Sequence, residues 1–285
     1  MNFLRFNRLY VIESLELDEV KTGTELFQYL QPVIDESEFD LPMGLFNCDG
    51  VQGFRDAAGE ILAYTLNGHL PWLHIDCHAS SDDGLLFANG SELGWIDLCD
   101  LLRPINEACR FQLFVVVSTC YGAGLVSGID TGKGAPCLGL IGPSHEVDPA
   151  ELLGHFRDFY RTLFATTNIT RSIESWKHRK LQQGSMVIVT AEDWWRDLIS
   201  AYLTDHATPA GMEAIARRQR KVLLAEGISQ SIGHLKRKYR SRLPAMIENR
   251  FNAYFMTTEV PENATLFAEL RNKTISKMQY QLKLR

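Results

Sequence analysis

The 285-residue chain has no apolar run approaching the roughly 20 residues that a membrane-spanning helix needs, so an integral helical membrane protein is not expected. It also lacks internal repeats and low-complexity tracts, which excludes solenoid and linker-rich architectures. The opening stretch MNFLRFNRLYVIESL holds only a short apolar segment broken by Arg5, Arg8 and Glu13, so it reads as neither signal peptide nor anchor. The expected location is therefore the cytoplasm. Six cysteines are present without the paired spacing of a disulfide framework, and a reducing compartment makes free thiols the default. Sequons at Asn89, Asn168, Asn263 and Asn272 then have no role, because glycosylation requires export.

What is present is an ordinary globular composition, 45% hydrophobic and 22% charged, which removes disordered, collagen-like and coiled-coil classes. The length suits one large α/β domain or two modest ones. Charge is unevenly placed. Residues 1–150 carry 7 Lys+Arg against 22 Asp+Glu, and residues 151–285 carry 22 against 13. Pairing of an acidic with a basic region, or a partner docked on the basic one, is the expected explanation.

Hydrophobic periodicity predicts strands at 9–15, 43–48, 71–78, 111–119, 135–142 and 186–190, and helices at 24–34, 53–66, 95–108 and 149–165. A turn-rich segment around 85–87 suggests a hairpin. This alternation predicts an α/β fold with a mostly parallel sheet covered by helices on both faces. From residue 191 the pattern is almost wholly helical, so the expected division is 1–190 and 191–285, with a soft boundary.

Ligands of open α/β sheets sit outside the carboxyl ends of strands. PWLHIDCH delivers His78 there, with Asp76 on the same face two residues earlier, and FQLFVVVST is followed at once by Cys120 and then YGAG. If those strands are neighbours, an imidazole and a thiol share one crevice. That is the minimum for nucleophilic acyl transfer, since an imidazole can raise the thiolate fraction and later protonate the leaving amine. Gly122 and Gly124 would let backbone N–H groups approach a developing oxyanion. Asp76 either orients His78 or shapes the pocket.

Other signals are weaker. His74, Asp76, Cys77 and His78 resemble a metal cluster on paper, but on a strand His74 and His78 lie about 13 Å apart and Cys77 faces the other way, so no metal is expected. GAGLVSG and GIDTGKG each miss a position of the nucleotide-binding loops they suggest. No cofactor is expected. Asp82, Asp83, Glu92, Asp97 and Asp100 give the crevice an acidic cast that would steer a basic peptide or simply be solvated. Trp194 and Trp195 read as core or interdomain packing and not as a recognition platform. Basic runs at Arg217, Arg218, Arg220, Lys221 and at Lys236, Arg237, Lys238, Arg240, Arg242 lack a recognised nucleic-acid motif, so solvated helix faces are expected there and nucleic acid is not the expected partner.

The stretch LHIDCHASSDDGLLFANGSELGWIDLCDLLRPINEACRFQLFVVVSTCYGAG resembles the caspase-like peptidases of clan CD, most closely their CHAT-domain branch. CLGLIGPSHEVDPAELLGHFRDFYRTL resembles that family's next strand and the helix bearing its Phe-Tyr pair, so the resemblance spans about residues 9–175. It implies a caspase-like sheet and a cytoplasmic thiol protease with His78 as catalytic base and Cys120 as nucleophile. It further implies that Ser118 lines the pocket for the residue preceding the scissile bond, and that the oxyanion site uses backbone N–H groups of Ala79, Cys120 and Gly122. Two departures are visible: Ala79 replaces the usual Gly, and Ser118 is neither an acid nor the Gln of animal caspases. The implied setting is a bacterial defence or regulated-death system, with a protein or peptide substrate and a possible regulatory partner. A second reading stays open, a non-catalytic caspase-like module whose basic C-terminal helices bind a partner protein or nucleic acid.

Overall fold

The computed structural model describes residues 5–37, 41–176 and 185–283. In chain order the elements begin with β1 (Arg8–Ser14), α1 (Thr22–Asp35), β2 (Met43–Asn47), α2 (Val51–Leu66) and β3 (Pro71–Ser80). A small hairpin, β4 (Gly84–Leu86) with β5 (Glu92–Leu93), precedes α3 (Trp95–Ala108) and β6 (Phe114–Ser118). A 3-10 helix, Gly122–Gly128, leads to β7 (Gly139–Pro143), α4 (Pro149–Thr166), α5 (Ile169–Trp176) and β8 (Met186–Thr190). Helices follow: α6 (Ala191–His206), α7 (Pro209–Ala225), α8 (Ile232–Tyr254), α9 (Glu262–Leu266) and α10 (Ala268–Lys283).

The sheet runs β2-β1-β3-β6-β7-β8. Its first five strands pair in parallel, and β8 joins β7 antiparallel, so the sheet is mixed but mostly parallel. Parallel strands need crossovers, and the helices that supply them cover the sheet. On one face Leu9, Trp72, Phe114 and Ile141 pack under α1 and α4 through Leu26, Leu30, Phe156, Phe159 and Tyr160. Trp72 stacks on Phe114 with centroids 4.3 Å apart. On the other face α2 covers the sheet, with Tyr64 stacked 6.2 Å from Tyr10.

Strand β6 is shorter than the apolar run predicts. Arg110 and Phe111 have φ of 56° and 66°, and the side chain and carbonyl of buried Asn106 accept the N–H groups of Leu113 and Phe111. Residues 111–113 therefore form a bonded connection between α3 and β6, with Phe111 and Leu113 buried without being strand.

The chain divides into two compact units. One comprises Met1–Ile129 and Ala135–Thr190, and the other Asp130–Gly134 and Ala191–Arg285. The second unit has its own aromatic core, in which Trp195 meets Phe251, Tyr254 and Phe255 edge-on or tilted at 5.4 to 5.7 Å. Its indole N–H donates to Thr274 Oγ1 at 3.0 Å. Trp194 is likewise buried, as a core residue would be.

Candidate functional site

Three strands deliver polar residues to one place. Parallel register pairs Glu13 with Asp76 and Asp76 with Ser118, forming a row across the carboxyl ends of β1, β3 and β6. Side chains of register partners in a parallel sheet face the same side, and alternation along β3 carries that face to His78, while Cys120 stands two residues past Ser118 in the turn that ends β6. Asp76, His78, Ser118 and Cys120 accordingly line one cavity of about 670 Å³. The loop after β1 contributes Asp18, Glu19 and Val20 to its wall, α1 contributes Thr22 and Glu25, and the entry to α4 contributes Val147, Asp148 and Pro149.

The partner of His78 is Glu19, not Asp76. His78 Nε2 lies 2.7 Å from Glu19 Oε1, with both side chains partly exposed. A carboxylate only accepts, so Nε2 is the donor in this bond and Nδ1 is the ring nitrogen that Glu19 does not engage. The loop that presents Glu19 is held by its own bonds. Glu16 N–H donates to Glu19 Oε2 at 2.7 Å, and Lys21 Nζ donates to the carbonyls of Glu16, at 2.6 Å, and of Leu15. Burial pushes the Glu19 carboxyl up, but the Glu16 N–H and the bond and charge of His78 outweigh it and hold Glu19 below its ordinary value.

Asp76 serves the pocket floor. It is buried and accepts from Thr22 Oγ1 at 2.8 Å. Burial raises its carboxyl to about 7, the Thr22 bond opposing and the Glu13 charge adding. Glu13, equally buried, accepts from Thr24 N–H and Oγ1, both at 2.8 Å. Gly23 lets α1 pack closely on these acids: a Cβ there would stand 3.0 Å from Glu13 Oε1 and 3.2 Å from Asp76 Cβ.

Cys120 differs from the other five cysteines, which are buried. Burial raises the Cys48 thiol to about 11 and the Cys109 thiol to about 12, and holds Cys77 and Cys137 well above the ordinary thiol value, so these thiols stay protonated and inert. Cys120 stands half-buried at a tight turn, and the next residue, Tyr121, has φ of 55° in the left-handed region. A non-glycine residue held there signals a turn fixed by its surroundings. The Cys120 thiol lies 3.9 Å from the Val147 carbonyl, and no hydrogen bond joins it to His78.

The expected oxyanion donors need correction. Gly122 N–H already donates to the Thr119 carbonyl at 3.1 Å, and Tyr121 N–H to the His145 carbonyl at 3.2 Å. Gly122 is glycine for packing, since a Cβ would meet the Val117 carbonyl oxygen at 2.2 Å. Gly124 lies against the Trp95 ring for the same reason. Ala79 stands opposite Leu85 in the β3-β4 ladder and does not line the cavity. Among the described residues the Cys120 N–H makes no hydrogen bond.

The acids that face the cavity are also not those expected. Asp82, Asp83, Glu92, Asp97 and Asp100 lie outside its lining, which instead carries Asp18, Glu19, Glu25, Asp76 and Asp148. Among the described residues that line it Arg157 is the one Lys or Arg, drawn to Glu25 at 3.1 Å and covering the Tyr29 ring. Asp148 caps α4 through the N–H groups of Ala150 and Glu151. Among the described residues no group of three or more His, Cys, Asp or Glu side chains is placed to share a metal ion. Comparison of the chain with models of known protein families and with curated proteins finds no match.

Proposed function

We propose that the protein is a caspase-like cysteine endopeptidase in which Cys120 is the nucleophile, His78 the general base and acid, and Glu19 the group that positions His78. The observation that carries this reading is the placement of His78 and Cys120 on one face of one cavity, each two residues beyond the register pair Asp76 and Ser118. A nucleophile, a base and a third group orienting the base form the minimal constellation for acyl transfer. The thiol turns from the Val147 carbonyl toward the imidazole, as catalytic bonds commonly tighten only with substrate bound. His78 Nδ1 takes its proton, the thiolate attacks the scissile carbonyl, and the oxyanion meets the Cys120 N–H. The protonated imidazole then gives its proton to the leaving amine, and water attacks the acyl-enzyme through the same base.

The carboxylates of Asp18, Glu19, Glu25 and Asp148 in the wall, against one paired arginine, suit a lysine or arginine side chain before the scissile bond, with Asp76 and Ser118 offering hydrogen-bonding groups at the pocket floor. By the sequence resemblance alone, the setting is a bacterial defence or regulated-death system acting on a specific protein. Incubation with a peptide library is the test. Cleavage after basic residues is expected, falling by about a thousandfold or more in Cys120→Ala. If the folded wild type cleaves nothing and an arginyl thiol-reactive probe does not label Cys120, the peptidase reading fails and a non-catalytic module takes its place.

A further inference from the structure

The basic runs left unexplained by the site fall on one structural feature. Helices α7 and α8 form a hairpin, and residues 217–242 at its turn carry nine Lys and Arg against the single acid Glu226. The reversal is firm. Gly227, at φ 76°, ends α7, with its N–H bonded to the Leu224 carbonyl at 3.1 Å and the Ile228 N–H bonded to Leu223 at 2.8 Å. Glu213 pins the two helices together by binding Arg217 on α7 at 3.1 Å and Lys236 on α8 at 2.9 Å.

The remaining bases are placed against the helices' own stability. Arg218, Arg220, Lys221, Arg237, Lys238 and Arg242 are exposed and make no ion pair among the described residues. Arg217 and Lys221, Lys236 and Arg240, and Lys238 and Arg242 are like-charged pairs four residues apart, which repel on a helix. Lys236 and Arg237 stand in the second turn of α8, whose first turn holds no acid to offset them. Such an arrangement is relieved by an external polyanion. Six of the nine bases are arginine, whose planar fork matches phosphate oxygens.

Geometry selects among polyanions. At about 100° per residue, Arg237, Lys238 and Arg242 span roughly 140° around α8. A flat bilayer or protein surface meets one side of a helix, whereas the major groove of B-form DNA presents phosphates on both sides of an inserted one. Three large apolar residues are exposed near the turn, Val222, Leu224 and Ile228, but Val222 and Leu224 lie about 160° apart on α7, so they do not form one continuous apolar face of that helix.

We infer that the α7-α8 hairpin is a docking surface for duplex DNA, holding its phosphate backbone without reading sequence. The test is binding of the full chain to labelled duplexes of unrelated sequence across a salt series. Similar affinities are expected for all of them, with log K falling against log salt at a slope of about −4 to −5 for some five neutralised phosphates. Arg218→Gln/Arg220→Gln/Lys221→Gln on α7 should weaken binding by about tenfold or more and flatten the slope by about 3, and Arg237→Gln/Lys238→Gln on α8 should flatten it by about 2. Lys273→Gln, outside the hairpin, should leave affinity within about twofold. Circular dichroism monitors folding of each variant, and the two hairpin variants check one another. No duplex binding at about 20 mM salt, wild-type slopes in both hairpin variants, or binding to phosphatidylserine vesicles or poly-glutamate in place of the duplex would overturn the inference.

Discussion

Strand β3 carries two histidines on one face, four residues apart, in opposite surroundings. His74 lies under α4, edge-on to Phe156 at 5.0 Å and 3.2 Å from the Tyr160 hydroxyl, and burial holds its pKa down to about 3. His78 stands past the helical cover, partly exposed, with Glu19 fixing one ring nitrogen. The same residue type on the same face becomes core where the sheet is covered and a base where the cover ends. The cysteines repeat the lesson, with five buried in the fold and one presented at a strand end.

If the interior serves stability and the strand end serves chemistry, mutations should separate the two. Trp72 is fully buried and stacked on Phe114, so Trp72→Ala should cost about 3 to 5 kcal/mol of stability, read from the urea midpoint. His78→Ala should change stability by less than about 0.5 kcal/mol while abolishing cleavage. Equal stability losses in both variants would break the contrast. A smaller effect is expected at Glu19, whose side chain is 34% exposed. Glu19→Gln should lower kcat roughly 10- to 100-fold with KM little changed, less than loss of a buried triad acid costs, and Glu19→Asp should restore part of the rate. A change confined to KM would make Glu19 a pocket wall and not the positioning group.

Much of this was legible in the sequence where periodicity and burial agree. Helix α3 runs from Trp95 to Ala108 as Leu98, Leu102 and Ile105 predict, and the β8 strand, Met186–Thr190, lies at the predicted positions. The β6 error arose because Phe111 and Leu113 are apolar for a turn, and the left-handed residues Arg110 and Phe111 carry no glycine to announce it. Cys120 and His78 were visible because strand ends can be read locally. Glu19 was not, since its partner is 59 positions away and nothing in EVKTG distinguishes it from a surface acid. Glu13 was hidden as well: an acid at a strand end reads as polar exit, and only the register with Asp76 and the fold of α1 over both show a buried carboxyl pair.

The two faces of this contrast also meet in one pH profile. Burial raises Asp76 to about 7 against an ordinary 3.8, so from about pH 4 to 7 the folded chain keeps a proton that the unfolded chain releases, and stability falls as pH rises through that window. His74 acts in the opposite sense. Held at about 3 against 6.5, it excludes a proton that the unfolded chain takes up, so stability rises with pH from about 3 to 6.5. Over the shared window the slopes oppose each other, and the wild-type urea midpoint should be nearly flat between about pH 4.5 and 6.5. Asp76→Asn removes one slope and should expose the other, a gain of about 2 kcal/mol on raising the pH across that range, while His74→Phe should expose a loss of similar size. Parallel profiles for wild type and both variants would mean that these buried groups do not titrate against each other, and the division between covered strand and open strand end would then rest on geometry alone.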